Sequence, residues 1–150
     1  MRKVNIRMSI KPTGALPISS QELVRFALVM LGGVTIVQLI IAFVADNRIT
    51  VGSTLPLALV AIYYGYFQYR HRKRLRMRAY GEYFVHLCGY ILVNGSYWLH
   101  AGVLVLIGNR DLIDNGWYPA LFGMSLFWGV GLLIHTFGAL VSKGHEDVHI

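Results

Sequence analysis

The chain has 150 residues, of which 55% are hydrophobic and only 14% are charged. A typical soluble domain carries about 25% charged residues, and a soluble protein of this length has too little interior to bury so much apolar surface. We therefore expect an integral membrane protein without room for a separate soluble catalytic domain. The formal net charge is +7, but its distribution excludes nucleic acid as a partner.

The basic residues lie in clusters between apolar segments. Of the 14 lysines and arginines, five lie in the first 25 positions and six in positions 70–78, whereas Arg48 and Arg110 are the ones in the two other connections. Positive-inside topology produces this alternation. It predicts an all-α protein with four transmembrane helices in two antiparallel hairpins and both termini in the cytoplasm.

The first part of the chain predicts a cytoplasmic arm (1–22) and a first transmembrane hairpin (23–69). Ser19 and Glu22 have the spacing of a helix-capping box. The uncharged stretch that follows, 26–45, has the length of about 20 residues that a membrane span needs. The polar region before it is too long for a signal peptide, so we interpret this stretch as a retained anchor.

The second predicted span, residues 51–69, is more polar than the first. Pro56 lies in its early part, where it favours a kink. Tyrosines are concentrated in its later part, which predicts that they lie at the headgroup level of the cytoplasmic side. These tyrosines are Tyr63, Tyr64, Tyr66 and Tyr69.

A basic linker, 70–78, follows the second span. A short run of cations between two spans is typical of a segment that sets topology and lies on anionic lipid headgroups. We expect membrane lipids as its partners. The residues assigned to this role are Arg70, Arg72, Lys73, Arg74, Arg76 and Arg78.

The second hairpin (79–141) consists of two apolar segments, 80–107 and 117–141, joined by the polar turn 108–116. A short tail, 142–150, follows. Trp117 and Tyr118 are predicted to anchor the outer end of the fourth span at the membrane interface.

Each of these two spans has a stripe of polar and small residues at helical spacing, which is typical of helix–helix contacts in membranes. We expect the stripes to face each other, with Asn94 opposite residues 129–131. The predicted helix-packing residues are Tyr90, Asn94, Trp128 and Gly131. The full stripes are Tyr83, His86, Tyr90, Asn94, Tyr97 and Ala101 on one span, and Met124, Trp128, Gly131, His135, Gly138 and Ser142 on the other.

His86 and His135 are predicted to lie within about one helical turn of the same depth. Two histidines so placed are either hydrogen-bonded structural residues or ligands of a haem or chlorophyll. A metal site would need a third or fourth ligand, so we expect no metal. We expect no cofactor, with a haem or chlorophyll as the alternative. Cys88, the single cysteine, is expected to be a small buried residue.

The motif His86-Leu-x-x-Tyr90-x-x-Val-Asn94, followed by Trp128-Gly-x-Gly131-Leu-x-x-His135, resembles the bacterial 2TM domain family. The resemblance covers residues 72–141, including part of the basic segment that precedes the hairpin. It implies a helical hairpin that occurs alone or beside signalling domains, in the bacterial inner membrane. The hairpin formed by residues 23–69 is additional to the family's usual layout.

Three functions remain open. The first is a non-enzymatic accessory or interaction subunit of a larger membrane complex, in contact with other integral membrane subunits or with further copies of itself. The second is a subunit of a respiratory or photosynthetic complex that binds haem or chlorophyll through His86 and His135. The third is a small transporter or channel. Such a function needs polar side chains within the spans, and Gln38 is the one strongly polar side chain of the first span.

Overall fold

A computed structural model describes residues 16–109, 111–112 and 115–146, without the side chains of residues 135, 139, 140 and 142–146. Most of the predicted arm (1–22), the end of the predicted tail (142–150) and the side chain of His135 therefore lie outside the described residues.

Helices account for all regular secondary structure in the described part of the chain. This confirms the predicted all-α class. Four α-helices are present, and a π-helical turn, Pro119–Gly123, leads into the last of them. The α-helices are α1 (Ser20–Phe43), α2 (Val51–Arg76), α3 (Gly81–Leu106) and α4 (Met124–Glu146).

Three stretches within the described residues are long and apolar enough to cross a membrane: Ser20–Phe43, Gly81–Leu106 and Pro119–Gly138. Helix α2 is not among them. It is long enough, but its polar residues and its basic end lower its hydropathy. Three of the four predicted spans thus coincide with helices of membrane-spanning character, and a span at residues 51–69 stays a prediction.

Two capping boxes set the starts of α1 and α2. The predicted box is confirmed: Ser19 accepts a hydrogen bond from the Glu22 backbone N–H, and the Glu22 carboxylate accepts one from the Ser19 N–H. Thr50 and Ser53 make the same reciprocal pair before α2. The second box was not predicted from the sequence, because Ser53 stands at the N3 position, where a capping box usually has Glu or Gln.

Helix α1 has one buried face that packs against α2 and α3. Along α2 the contacts run in opposite chain directions, from Phe26 stacked on Phe67 at 4.4 Å to the close approach of Gly33 to Val60. Helices α1 and α2 are therefore antiparallel, and the start of α1 lies beside the end of α2. The buried residues of α1 are Leu23, Phe26, Met30, Val34, Val37 and Ile41.

Helix α3 contacts each of the other three helices, whereas α4 packs along α3 alone in its backbone contacts. Asn94 of α3 accepts a hydrogen bond from Ser125 at 3.2 Å, and Gly129 lies beside the Tyr90 ring. Asn94 is thus one turn away from its predicted position opposite residues 129–131. Both contacts are centred between residues 109 and 110 and not on the middle of the turn 108–116, so the two helices do not pair symmetrically about that turn.

Trp117 corrects a second expectation. It is completely buried, and its indole N–H donates to the Asn47 backbone carbonyl at 2.7 Å. Tyr118 is half exposed, as an interface anchor would be. Trp117 therefore joins the loop before α2 to the start of the fourth apolar segment instead of facing lipid headgroups.

Candidate functional site

The polar residues of the bundle form two groups, one near each end. The basic end contains the start of α1, the end of α2 and the start of α3. The opposite end contains the loops that follow α1 and α3. His86, the predicted candidate ligand, lies in the second turn of α3 and so belongs to the basic end.

His86 meets a tyrosine of α2. Its Nδ1 lies 2.6 Å from the Tyr64 hydroxyl, and the Tyr64 ring packs edge-on against Trp128 with ring centroids 5.5 Å apart. A Cβ placed on Gly89 would lie 2.7 Å from the Tyr64 ring. Gly89 thus provides the space in which Tyr64 reaches between α3 and α4.

The predicted packing residues are brought together in part. Tyr90, Asn94 and Trp128 lie at the contact of α3 with α4 or α2, and Asn94 is only 3% exposed. A Cβ placed on Gly131 would meet no described atom within 4 Å. Gly129, and not Gly131, lies beside α3: a Cβ placed on it would be 3.9 Å from the Tyr90 ring, an ordinary van der Waals distance.

The six basic residues of the predicted headgroup segment divide into two kinds. Arg74 and Arg78 turn back to the N-terminal segment. Arg74 binds both carboxylate oxygens of Glu22 at 2.7 Å and the Leu16 carbonyl at 3.0 Å. Arg78 donates to the Ile18 carbonyl at 3.1 Å. These two cations fasten the chain that precedes α1.

The other four cations are exposed. Arg72 lies over the Tyr69 ring, 5.2 Å from its centroid, and Arg76 pairs with Glu82 at 2.9 Å. Arg70 and Lys73 complete the set. These four are the members available for lipid headgroups.

His71 lies within the same run without adding charge to it. Its ring is 4.6 Å from that of Phe67, and burial lowers the pKa of this imidazole from its usual value near 6.5. His71 is therefore neutral at pH 7, and the positive field of the segment comes from arginine and lysine.

A groove of about 390 Å³ opens between α2 and α3 at the basic end. We call it the basic-end groove. Its polar walls are charged or hydrogen-bonding groups, and its lining includes Gln68, Tyr69, Arg72, Arg76, Glu82 and His86. Such walls suit a small polar anion better than the flat apolar ring of a haem or chlorophyll.

A second polar cluster, at the opposite end, was not predicted. His100 Nδ1 lies 2.8 Å from Gln38 Oε1, and His100 Nε2 lies 3.1 Å from the side-chain amide of Asn47. Trp117 packs against the imidazole with ring centroids 4.8 Å apart. The cluster links α1, α3 and the loop after α1.

The hydrogen-bond directions in this cluster follow from its fixed end. Gln38 Nε2 donates to Ser96 Oγ, which itself donates to the Val93 carbonyl. The Gln38 oxygen is thus the acceptor for His100 Nδ1–H. The atom that faces Nε2 is Asn47 Oδ1, also an acceptor, so a neutral imidazole with its proton on Nδ1 does not donate to it. In the sequence, the one indication of the contact between Gln38 and His100 is that the two residues lie at similar depth in their predicted spans.

Comparisons with protein families, curated proteins and solved structures find no match to this chain. The resemblance of residues 72–141 to the bacterial 2TM domain family therefore stays a prediction, and the function has to be argued from the structure.

Proposed function

We propose that this chain is a non-enzymatic accessory subunit of the bacterial inner membrane, with four transmembrane helices as two hairpins and both termini in the cytoplasm. It binds another membrane helix, either of a different subunit or of a second copy. One observation supports this proposal above the others: α4 packs against α3 along one side, and Gly131 and Gly138 have no described atom within 4 Å of their Cβ positions.

The apolar stretches differ in how much of them the chain covers. In an apolar window of 18 residues within each stretch, 6% of the residues of Pro119–Gly138 are buried, compared with 28% for Ser20–Phe43 and 33% for Gly81–Leu106. Large apolar side chains on the uncovered side are expected to face lipid. Glycines there are different, because they let another helix backbone come close.

Three glycines of the fourth segment have no close neighbour. A Cβ placed on Gly123, Gly131 or Gly138 would meet no described atom within 4 Å. Gly131 and Gly138 are seven residues apart, so they lie on one face of α4. We assign this face, defined by Gly131 and Gly138, to the contact with the partner helix.

The proposal is tested by purifying the tagged protein in mild detergent and measuring the mass of the intact complex. We expect a stoichiometric partner, or a dimer, that is lost in the Gly131→Leu and Gly138→Leu variants. Val130→Leu is the matched control, because Val130 is exposed on a different side of α4. A monomer without a partner in the wild type, or equal loss in all three variants, would contradict the proposal.

The same purified sample tests the alternative of a cofactor-binding subunit. That alternative predicts a haem or chlorophyll absorption band that disappears in His86→Ala and in His135→Ala. His86 is held by Tyr64 in either case, so the hydrogen bond does not distinguish the two functions.

The transporter or channel alternative has the cluster around His100 as its polar residues, and ion flux in proteoliposomes is its test.

A further inference from the structure

The basic-end groove combines features that call for a ligand. It lies at the level where the tyrosines and arginines of α2 end, which is the headgroup region of a membrane protein. Helix α2 contributes Gln68, Arg72 and Arg76 to it, at spacings of four residues that place them on one face. Helix α3 contributes Glu82 and His86, also four residues apart.

Gln68 has a donor that is only weakly used within the chain. Its Nε2 is shielded from solvent and makes no well-aligned hydrogen bond among the described residues, although it lies near the Tyr64 hydroxyl and interacts with it. A shielded amide N–H is stabilised when it finds a good acceptor. Because the last side-chain torsion of glutamine is broad, a small rotation allows this N–H to donate to a group bound in the groove.

The charge of the groove is positive. Glu82 binds Nε of Arg76, and the two Nη groups of Arg76 bond to no described residue. The Arg72 guanidinium lies over the Tyr69 ring in a cation–π contact and has no carboxylate partner among the described residues. Two arginines against one carboxylate leave a net positive site, with the planar donors that bind phosphate oxygens well.

We propose that the basic-end groove is a binding site for one phosphate group, that of an anionic phospholipid headgroup. Arg72 and Arg76 bind the phosphate oxygens, and Gln68 donates a further hydrogen bond from the wall of the groove. A choline headgroup is disfavoured because its cation would lie against the two arginines. The site does not depend on the partner helix proposed for α4.

The test measures lipid binding to the purified full chain by native mass spectrometry, with phosphatidylglycerol and phosphatidylcholine as the two probes. We expect one phosphatidylglycerol per chain, held about tenfold more tightly than phosphatidylcholine. Arg72→Gln and Gln68→Leu should each weaken phosphatidylglycerol binding, Arg72→Gln by about tenfold. Arg72 is exposed, so its replacement leaves the helix packing unchanged.

Arg70→Gln is the matched control, because it removes the same charge from the same run without lining the groove. Equal loss of phosphatidylglycerol in Arg70→Gln and Arg72→Gln would show general attraction to a basic surface and overturn the site. Equal binding of the two lipids by the wild type would also overturn it. Inorganic phosphate is the third probe. If it displaces the lipid, and if Arg72→Gln abolishes its binding, the site is the same but its phosphate comes from a soluble source.

Discussion

At the scale of single residues, the glycines of α3 show that one residue type has two roles in this bundle. Gly89 is buried, and the Tyr64 ring occupies the space where its side chain would be. Gly95, six residues later on the same helix, has no described atom within 4 Å of a Cβ placed there. The first glycine is required by packing, whereas the second leaves a surface uncovered.

This difference predicts opposite responses to the same substitution. Gly89→Ala should lower the stability by about 1–3 kcal/mol, because Tyr64 cannot move away without breaking its contacts with His86 and Trp128. Gly95→Ala is the control and should leave stability unchanged or slightly raised. The midpoint of unfolding in detergent measures both, and an equal effect of the two substitutions would contradict the assigned packing.

At the scale of the helices, α2 combines a buried middle with a basic end that holds another segment. Arg74 contacts Glu22 and the Leu16 carbonyl, and its own carbonyl accepts a hydrogen bond from the Ile18 N–H at 3.2 Å. Ile18 is only 2% exposed. The segment before α1 is thus fastened to the end of α2 by side-chain and backbone contacts together.

Arg74→Gln should release this segment. We expect the amide of Ile18 to exchange with solvent about fivefold faster, since the pairing of a partly exposed arginine with a carboxylate contributes modestly. Lys73→Gln removes the same charge from an exposed neighbour and should leave the exchange rate unchanged. Hydrogen exchange of residues 16–22 measures the effect, and equal acceleration in both variants would assign it to the net charge of the linker.

At the scale of the whole molecule, α3 is the central helix and α4 is the peripheral one. The contacts of Glu22 with Arg74 and of Phe26 with Phe67 place the end of α2 beside the start of α1. An α2 that lay flat on the membrane surface while α1 crossed it would lose these contacts. These contacts are the argument for the proposed fourth span at residues 51–69, although the hydropathy of α2 is lower than that of the other three segments.

Topology mapping with single cysteines tests this arrangement. In a Cys88→Ser background, Ser20→Cys and Met77→Cys should react with an impermeant thiol reagent from one side of the membrane, and Asp111→Cys from the other. Four spans require this result because two crossings separate Ser20 from Met77. Labelling of Met77→Cys from the side opposite to Ser20→Cys would show that α2 does not cross.

The amino-acid sequence by itself determined the helical class, the positions of the apolar segments and the capping box at Ser19 and Glu22. These are local properties: span length, charge distribution and cap spacing are all fixed within a few turns of chain.

Tertiary structure alone decided which side chains meet. His86 bonds to Tyr64 of α2 and Gln38 bonds to His100, because depth in the membrane fixes the height of a residue but not which neighbouring helix it faces. The register of α4 against α3 also depended on how the polar turn 108–116 packs, because the Asn94–Ser125 and Tyr90–Gly129 contacts are centred between residues 109 and 110 and not on the middle of that turn. For the same reason, neither the uncovered face at Gly131 and Gly138 nor the basic-end groove was visible before the helices were packed together.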